Sequence, residues 1–211
     1  MRDRVLTLEG TMDHDTLQGG EGEDMIAGNW GDDLISGGEG NDWIDGEGGD
    51  DVLEGGPGDD SLLGGDGDNT LEGGPGNDTL MAEYGLDTLE GGPGADILLG
   101  GGDADVFAYG EGSDDGQMDR IEDFNPDERD VIYLGELLAA GGYEGEGSVE
   151  SAQGYLRMEG TVLLVDRDGG GDGFVPLVDL GMEVSLEDLL AGGNLVLRAE
   201  DFPLLDDKAG Q

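Results

Sequence analysis

Acidic residues recur along the first half of the chain with a period of nine residues, which is a spacing that can bind cations. From Gly10 to Ala108 the sequence divides into eleven nine-residue units without insertion or deletion. The sixth position of each unit is Asp, with a single Asn. These residues are Asp15, Asp24, Asp33, Asp42, Asp51, Asp60, Asn69, Asp78, Asp87, Asp96 and Asp105. The repeat therefore specifies one side-chain oxygen ligand per unit.

The other recurring residues of the nine-residue unit predict how the chain places these acids. The first, second and fourth positions are mostly Gly, which permits positive φ and close backbone approach in a tight six-residue turn. The last three residues form a short strand whose central, eighth residue points inward. These inward residues are Leu17, Ile26, Ile35, Ile44, Leu53, Leu62, Leu71, Leu80, Leu89, Leu98 and Phe107.

Two units form one coil of 18 residues, so the turns line two edges of a stack of about six coils spaced by about 4.8 Å. Carboxylates at this spacing repel each other by about 1 kcal/mol in water and about 3 to 4 kcal/mol at an effective dielectric constant near 20. Cations between the turns would remove that repulsion. Calcium is the best match, because it accepts six to eight carboxylate and carbonyl oxygens in irregular geometry.

The unit GGxGxDxUx resembles the calcium-binding nonapeptide of RTX proteins, and the resemblance covers residues 10 to 108. It implies an all-β, right-handed parallel β-roll with calcium between turns two units apart. The implied ligands are the sixth-position residues and backbone carbonyls of Gly20, Gly22, Gly38, Gly40, Gly56, Gly58, Gly74, Gly76, Gly92 and Gly94. Five gaps on one edge and four on the other give up to about nine ions.

Some units depart from the repeat, and we expect weak or empty calcium sites beside them. Asp13 and Asp103 replace the fourth-position Gly, Ala82-Glu83 replaces Gly-Gly, and Asn69 removes one negative charge. We predict that the fifth-position acids are solvated side chains rather than ligands. We predict that both Trp residues pack locally or cover a turn. These residues are Asp32, Asp50, Asp59, Asp68, Trp30 and Trp43.

Composition excludes several function classes. The net charge of −45 excludes nucleic acid and anionic membrane as partners. With no Cys and His14 as the single histidine, the parts for disulfides and for zinc sites are missing, and a Ser-His-Asp triad would depend on this one ring. No apolar run approaches the roughly 18 residues of a membrane span, and residues 1–10 are too short in apolar length for a secretory leader.

The period ends at Ala108, so we divide the chain into a roll, residues 1–108, and a β-rich cap, residues 109–211. Residues 103–134 resemble the region after the roll in serralysin-type secreted proteins, on the segments 104–107, 119–124 and 130–134. The apolar residues that are expected to cover the last coil are Ile121, Phe124, Val131, Ile132 and Leu134. Asp119 and Asp123 are either ligands of a last calcium site or ordinary surface residues.

For the rest of the cap the sequence predicts short helices and strands. We predict a helix over 136–140 that ends at Gly141-Gly142. Strands are predicted near Leu156 to Met158 and over 162–165, 174–180 and 195–197. Ser185 and Asp188 form a capping box before a second predicted helix, which runs through Leu190. The loop 166–173 fails as an EF-hand because Gly170 and Leu177 stand at ligand positions, so a Gly-rich strand connection is favoured. Residues 200–211 are expected to be a frayed tail.

These features favour a non-enzymatic, secreted calcium-binding RTX protein in which calcium drives folding. The resemblance implies export by type I secretion machinery with an uncleaved C-terminal signal, as a monomer or a component that assembles. Two alternatives remain open. One is the non-catalytic roll module of a secreted hydrolase or epimerase, and the other is a structural or adhesion component of the cell surface.

Overall fold

The computed structural model describes residues 5–110, 112–113, 115–140, 142–143, 152–166, 169 and 173–198. Two sheets dominate it. The first sheet contains, in spatial order, β1 (Thr7–Glu9), β3 (Met25–Ala27), β5 (Trp43–Asp45), β7 (Ser61–Asp66), β9 (Thr79–Tyr84), β11 (Ile97–Leu99), β13 (Asp119–Ile121), β17 (Val175–Asp179), β16 (Val162–Val165) and β15 (Leu156–Glu159). The second contains β18 (Leu195–Val196), β14 (Val131–Tyr133), β12 (Val106–Ala108), β10 (Thr88–Glu90), β8 (Thr70–Glu72), β6 (Val52–Glu54), β4 (Leu34–Glu39) and β2 (Thr16–Glu21).

Successive strands of the repeat alternate between the two sheets, and each pairs in parallel with the strand 18 residues away. Ile44, for example, lies in register with Ile26 on one side and Leu62 on the other. The predicted all-β parallel roll is therefore confirmed. Antiparallel pairs occur only where β16 joins β15 and β17, within the described part of the chain.

The interior of the roll is the column of eighth-position side chains. From Ile26 to Phe107 each is at most 1% exposed, because alternation along a strand points this residue between the sheets. Leu17 and the preceding Leu8 are only partly buried, since they lie at the open first coil. The predicted core of the repeat is thus confirmed.

Most turns adopt positive φ at the second and fourth positions. Gly38 and Gly40 have φ of 110° and 129°, in a region that side chains with a Cβ rarely adopt. Some second positions are not glycine and occupy the left-handed helical region instead, as in Asn29 at 74° and Glu47 at 69°. First-position glycines, such as Gly55, are not among the positive-φ residues, so another reason must explain them.

Beyond residue 108 the parallel pairing continues, because β13 pairs with β11 and β14 with β12. The division of the chain at residue 108 stays a prediction. Among the described residues, the helices that follow include α1 (Gly135–Ala140) and α2 (Leu186–Gly192). The Ser185 Oγ accepts the Asp188 N–H at 3.0 Å, which confirms the predicted N-cap. All four predicted C-terminal strands are present as β15 to β18.

The residues predicted to cover the last coil are buried, as expected. Ile121, Ile132 and Leu134 are fully buried, and Phe124 packs edge to face against Phe107 with ring centroids 6.2 Å apart. Gly141, most of the loop 166–173 and the tail 200–211 lie outside the described residues, so these predictions stay untested. Within the described segments, no helix is both long and apolar enough to cross a membrane.

Candidate metal centre

The sixth-position residues form one buried row along each edge of the roll. Each lies at the end of a turn, directly before a strand, so the 18-residue coil places every second one on the same edge. Asp15 is half-buried in the first turn. The others are at most 3% exposed, namely Asp24, Asp33, Asp42, Asp51, Asp60, Asn69, Asp78, Asp87, Asp96 and Asp105. A row of buried acids needs partners for its oxygens.

One oxygen of each side chain is used by the backbone. From Asp33 onward, the Oδ1 atom accepts the N–H of the sixth-position residue one coil earlier, as from Asp42 to Asp60 at 2.7 Å and from Asp60 to Asp78 at 2.7 Å. The same bond recurs on the other edge, where the Asp33 N–H donates to Asp51 at 2.8 Å. These bonds fix each carboxylate in the turn and link the coils.

The second oxygen has no such partner. Nine Oδ2 atoms are buried and accept no hydrogen bond from the described residues, and they belong to Asp24, Asp33, Asp42, Asp51, Asp60, Asp78, Asp87, Asp96 and Asp105. An ionised carboxylate oxygen buried in this way is costly unless it is paired or coordinates a metal.

The first-position glycines show where that metal would lie. A Cβ on Gly55 would lie 2.5 Å from the Asp60 Oδ2 and 2.7 Å from the Gly73 carbonyl oxygen of the next coil. Gly73 has the same surroundings, with the Asp78 Oδ2 at 2.5 Å and the Gly91 oxygen at 2.7 Å. Glycine is required at this position because two oxygens converge on the space that a methyl group would fill. Two hard oxygens facing one space fit calcium.

The predicted glycine carbonyls also face the gaps between successive turns. The second-position carbonyls of Gly20, Gly38, Gly56 and Gly74 each point at the second position of the next coil, where a Cβ would overlap them. The fourth-position carbonyls of Gly22, Gly40, Gly58 and Gly76 point in the same way at the next fourth position. Gly92 and Gly94, in the last such turn, keep φ of 99° and 150°. The assignment of all these residues as ligands stays a prediction.

The first-position carbonyls, such as those of Gly73 and Gly91, were not among the predicted ligands. The sequence carries a signal for them, because the first position is almost always Gly although its φ does not require Gly. Within the described residues no three acidic or histidine side chains converge on one point. Each ion would therefore take most of its oxygens from the backbone.

The two edges differ in sequence. We call the turns 19–24, 37–42, 55–60, 73–78 and 91–96 the consensus edge, because all five read GGxGxD. We call the turns 10–15, 28–33, 46–51, 64–69, 82–87 and 100–105 the variant edge, because each departs from that pattern. Every glycine whose carbonyl was predicted as a ligand lies on the consensus edge.

The two edges differ in the backbone hydrogen bonding of the third position. On the variant edge its N–H donates to the second-position carbonyl of the preceding coil, as from Gly48 to Asn29 at 2.9 Å and from Gly102 to Glu83 at 2.9 Å. Three consensus turns carry Pro57, Pro75 and Pro93 at this position, and proline has no N–H. The carbonyls of Gly38, Gly56 and Gly74 are therefore spared that hydrogen bond and are available to an ion.

The fifth-position acids are exposed, as expected, but they also bind the backbone. The Asp32 Oδ1 accepts the Asp50 N–H at 3.1 Å, and the Asp50 Oδ1 accepts the Asp68 N–H at 3.0 Å. On the consensus edge the Asp59 Oδ1 accepts the Asn77 N–H at 2.9 Å. These bonds link each turn to the next coil, whereas the sixth-position bonds link it to the previous one. The residue types alone do not indicate this second set of links.

Both Trp residues remain substantially exposed. Trp30 is 62% exposed and its ring lies over the Cα of Gly48, where a Cβ would be 3.6 Å from the ring. Trp43 is 38% exposed on the outer face of β5. Trp30 thus covers part of a turn, as predicted.

Two acids beyond the repeat extend the rows. The Asp119 Oδ1 accepts the Asp96 N–H at 2.9 Å, and the Asp130 Oδ1 accepts the Asp105 N–H at 3.2 Å. Both side chains are buried, so neither is an ordinary surface residue. Asp123 instead accepts the N–H groups of Gly100 and Gly101, at 3.1 and 2.9 Å. Sequence analysis assigned no role to Asp130, because it follows an irregular 25-residue interval.

Burial raises the pKa of these carboxyls above the ordinary Asp range, and neighbouring acids add to the rise while backbone hydrogen bonds oppose it. The pKa reaches about 6 for Asp51, Asp60, Asp87, Asp96 and Asp130, about 7 for Asp78, and about 8 for Asp105 and Asp119. A cation bound at the Oδ2 atoms would favour the ionised form and lower these values.

The comparisons with known proteins address the repeat directly. Residues 9–44, 45–80 and 81–115 match the family model of the RTX calcium-binding nonapeptide repeat, which together is just over half of the chain. No curated protein matches the chain. A solved structure similar to it is the extracellular lipase LipA from Serratia marcescens, with a TM-score of 0.41 and 20% identity over 93% of this chain. The chain spans 40% of the length of that lipase. Since the family model covers the stacked turns described above, the chain belongs to the family of RTX calcium-binding nonapeptide repeat proteins, whose repeats bind calcium.

Proposed function

We propose that the chain is a secreted calcium-binding module whose roll folds only when calcium binds between the stacked turns. The observation that carries this proposal is the set of nine buried Oδ2 atoms without a hydrogen-bond donor. Six of the nine face a carbonyl oxygen of the next coil across a space kept open by glycine, namely those of Asp24, Asp33, Asp42, Asp51, Asp60 and Asp78. Calcium in that space would coordinate the carboxylates of the row and remove their mutual repulsion.

Folding and calcium binding are then one equilibrium. The chain has 53 acidic against 8 basic residues and 35% hydrophobic residues, so apolar burial has to overcome strong self-repulsion. An ion that binds the folded state and not the unfolded one stabilises folding by mass action, and several ions multiply the effect. The free energy of folding therefore depends steeply on calcium concentration.

Calcium would also restrict folding to the outside of the cell. Extracellular calcium modules typically bind with Kd values of about 10⁻⁴ to 10⁻³ M, far above cytosolic calcium. The chain would remain unfolded before export, pass through type I secretion machinery, and fold outside the cell. The family match supports this route, which the C-terminal resemblance to secreted proteins also favours.

The role we propose is binding rather than catalysis. The buried acids are held by the backbone through Oδ1, so they are fixed structural groups. His14 is exposed, and its Nδ1 accepts the Asp32 N–H at 2.8 Å, which ties this ring to the turn ladder. A whole-chain activity would have to come from a catalytic partner.

Circular dichroism during a calcium titration tests the proposal. In excess chelator we expect the spectrum of an unfolded chain, and in millimolar calcium the spectrum of β-structure. Magnesium at equal concentration serves as the control, because it demands octahedral geometry and retains water. Identical ordered spectra with chelator and with calcium would refute calcium-driven folding. Light scattering in the same titration would report whether the folded roll is a monomer.

A further inference from the structure

The variant edge contains one turn in which an amide stands where the other turns have a carboxylate. We propose that the Asn69 amide, held by a hydrogen bond within its own turn, occupies the gap between turns 64–69 and 82–87, so that no calcium binds in that gap. The inference rests on the proposed function, because it concerns which gaps of the calcium-binding roll are filled.

The amide nitrogen occupies the place of the Oδ2 atoms elsewhere. A Cβ on Gly64 would lie 2.9 Å from the Asn69 Nδ2 and 2.9 Å from the Ala82 carbonyl oxygen of the next coil. On the consensus edge, the Cβ of Gly55 would meet the Asp60 Oδ2 and the Gly73 oxygen at 2.5 and 2.7 Å. Nitrogen therefore faces the space in which the other turns present an anionic oxygen.

The orientation of the amide is fixed by two hydrogen bonds. The Asn69 Oδ1 accepts the Asp51 N–H at 3.0 Å, just as an Asp Oδ1 does in the other turns. The Nδ2 then donates to the Gly67 carbonyl oxygen at 3.0 Å. Gly67 is the fourth residue of its turn, a position whose carbonyl the repeat offers to calcium. The amide bond takes this carbonyl for itself.

An amide NH₂ is a donor with no lone pair to offer, so it cannot ligate a cation. Its hydrogens also point toward the oxygens that calcium would require. The gap thus has one ligand fewer, one negative charge fewer and a partial positive charge in place of an anion.

The next turn carries a second departure, which affects the following gap, between turns 82–87 and 100–105. Ala82 stands at the first position, where the other ten units have glycine, and its side chain is fully buried. A methyl group at this position fills the space onto which oxygens converge in the glycine turns. Asn69 and Ala82 therefore lie in adjacent turns of one edge and together interrupt the variant-edge row of ions.

Calcium stoichiometry tests the inference, with the full chain dialysed to equilibrium against millimolar calcium and analysed for bound metal. Asn69→Asp should bind one ion more than the wild type. The matched control Asp78→Asn, on the consensus edge, should bind one ion fewer. The folding transition of Asn69→Asp should also depend more steeply on calcium, because one more ion is taken up. The double variant Asn69→Asp with Ala82→Gly, compared with Ala82→Gly alone, covers the case in which Ala82 holds its turn in a shape that the restored carboxylate cannot use.

The outcomes separate the two proposals. If Asp78→Asn loses an ion while neither Asn69→Asp nor the double variant gains one, the Asn69 gap already binds calcium and the inference is wrong. If the wild type binds no calcium, the proposed function fails and the inference fails with it. A gain of one ion in Asn69→Asp over the wild type, or in the double variant over Ala82→Gly, supports the inference.

Discussion

The two edges of the roll have the same row of buried sixth-position side chains but different backbones facing it. On the consensus edge, three prolines remove the N–H that would otherwise bind a second-position carbonyl. On the variant edge that N–H is present and bound, as from Asp66 to Glu47 at 2.9 Å. We therefore expect an acid in each turn to make only part of a calcium site. Second-position carbonyls that accept no third-position N–H are expected to make another part.

The second position shows the same contrast. Four of the five consensus turns have Gly there with φ of 99° to 110°, whereas three of the six variant turns have Asn29, Glu47 and Glu83 with φ of 69° to 80°. A turn in the left-handed helical region tolerates a side chain. We therefore expect the consensus edge to bind calcium more tightly, and the variant edge to rely more on hydrogen bonds.

The largest difference between the edges should follow a change at the second position. Gly56→Ala places a Cβ at φ of 102° over the Gly38 carbonyl oxygen, and we expect a loss of about 3 kcal/mol or more in calcium-bound stability. Glu47→Gly, its match on the variant edge, should cost about 1 kcal/mol or less, through the entropy of the unfolded chain. Chemical denaturation in millimolar calcium measures both. Equal losses would mean that the turns of the two edges are equivalent.

Removal of one acid on each edge distinguishes the contribution of its backbone hydrogen bond from that of its calcium ligand. Asp60→Ala and Asp51→Ala each leave a buried N–H without its acceptor, which costs about 1 to 3 kcal/mol in either variant. Asp60→Ala should also raise the calcium concentration at half-folding by more than Asp51→Ala does. Circular dichroism during calcium titration measures that midpoint. A larger shift for Asp51→Ala would reverse our ranking of the edges.

Acid should affect both edges alike, because the carboxyls are common to them. The folded-state pKa values are raised, from 3.8 to about 6 in Asp51 and Asp60 and to about 8 in Asp105. Without calcium, ionisation of these groups opposes folding, so stability is greatest below pH 4 and is lost as the pH rises toward 8. With calcium the sign reverses, because ligands must be deprotonated to bind.

Circular dichroism in chelator between pH 3.5 and pH 8 checks this prediction. We expect more β-structure at the acid end, and a calcium affinity that rises with pH over the same interval. A calcium-free chain that gains structure as the pH rises would show that the buried carboxyls are not what keeps it unfolded.

The smallest effect should follow Pro75→Ala, which restores an N–H opposite the Gly56 carbonyl. That N–H can form the bond found on the variant edge, so the carbonyl is less available to calcium. We expect a weakening of the consensus edge by about 0.5 to 1 kcal/mol, seen as a two- to fivefold higher calcium midpoint. Gly48→Ala, at the third position of the variant edge, keeps its N–H and should leave the midpoint unchanged. An unchanged midpoint in Pro75→Ala would mean that the free carbonyl is not a ligand.

Much of the fold follows from the repeat, because period, turn and inward residue reinforce one another in every unit. The column from Ile26 to Phe107 and the two rows of acids could be predicted from spacing alone. The N-cap of α2 was likewise visible in Ser185 and Asp188. Local rules sufficed wherever a feature repeats or is confined to one turn.

What could not be predicted depends on contacts between coils. The sequence marks an acid at Asp130 but not that a 25-residue interval returns it to the row above Asp105. It shows glycine at the first position but not that two oxygens converge there. The direction of the fifth-position bonds, from each turn to the next coil, also depends on the stacking of turns rather than on residue type.

Anomalous X-ray diffraction from crystals grown in calcium tests the central claim most directly. We predict a row of calcium peaks along the consensus edge, each beside an Asp Oδ2 and a first-position carbonyl of the next coil, with no peak beside Asn69. The account would be contradicted by the same ordered coils, grown in strong chelator, with no metal peaks between the buried carboxylates.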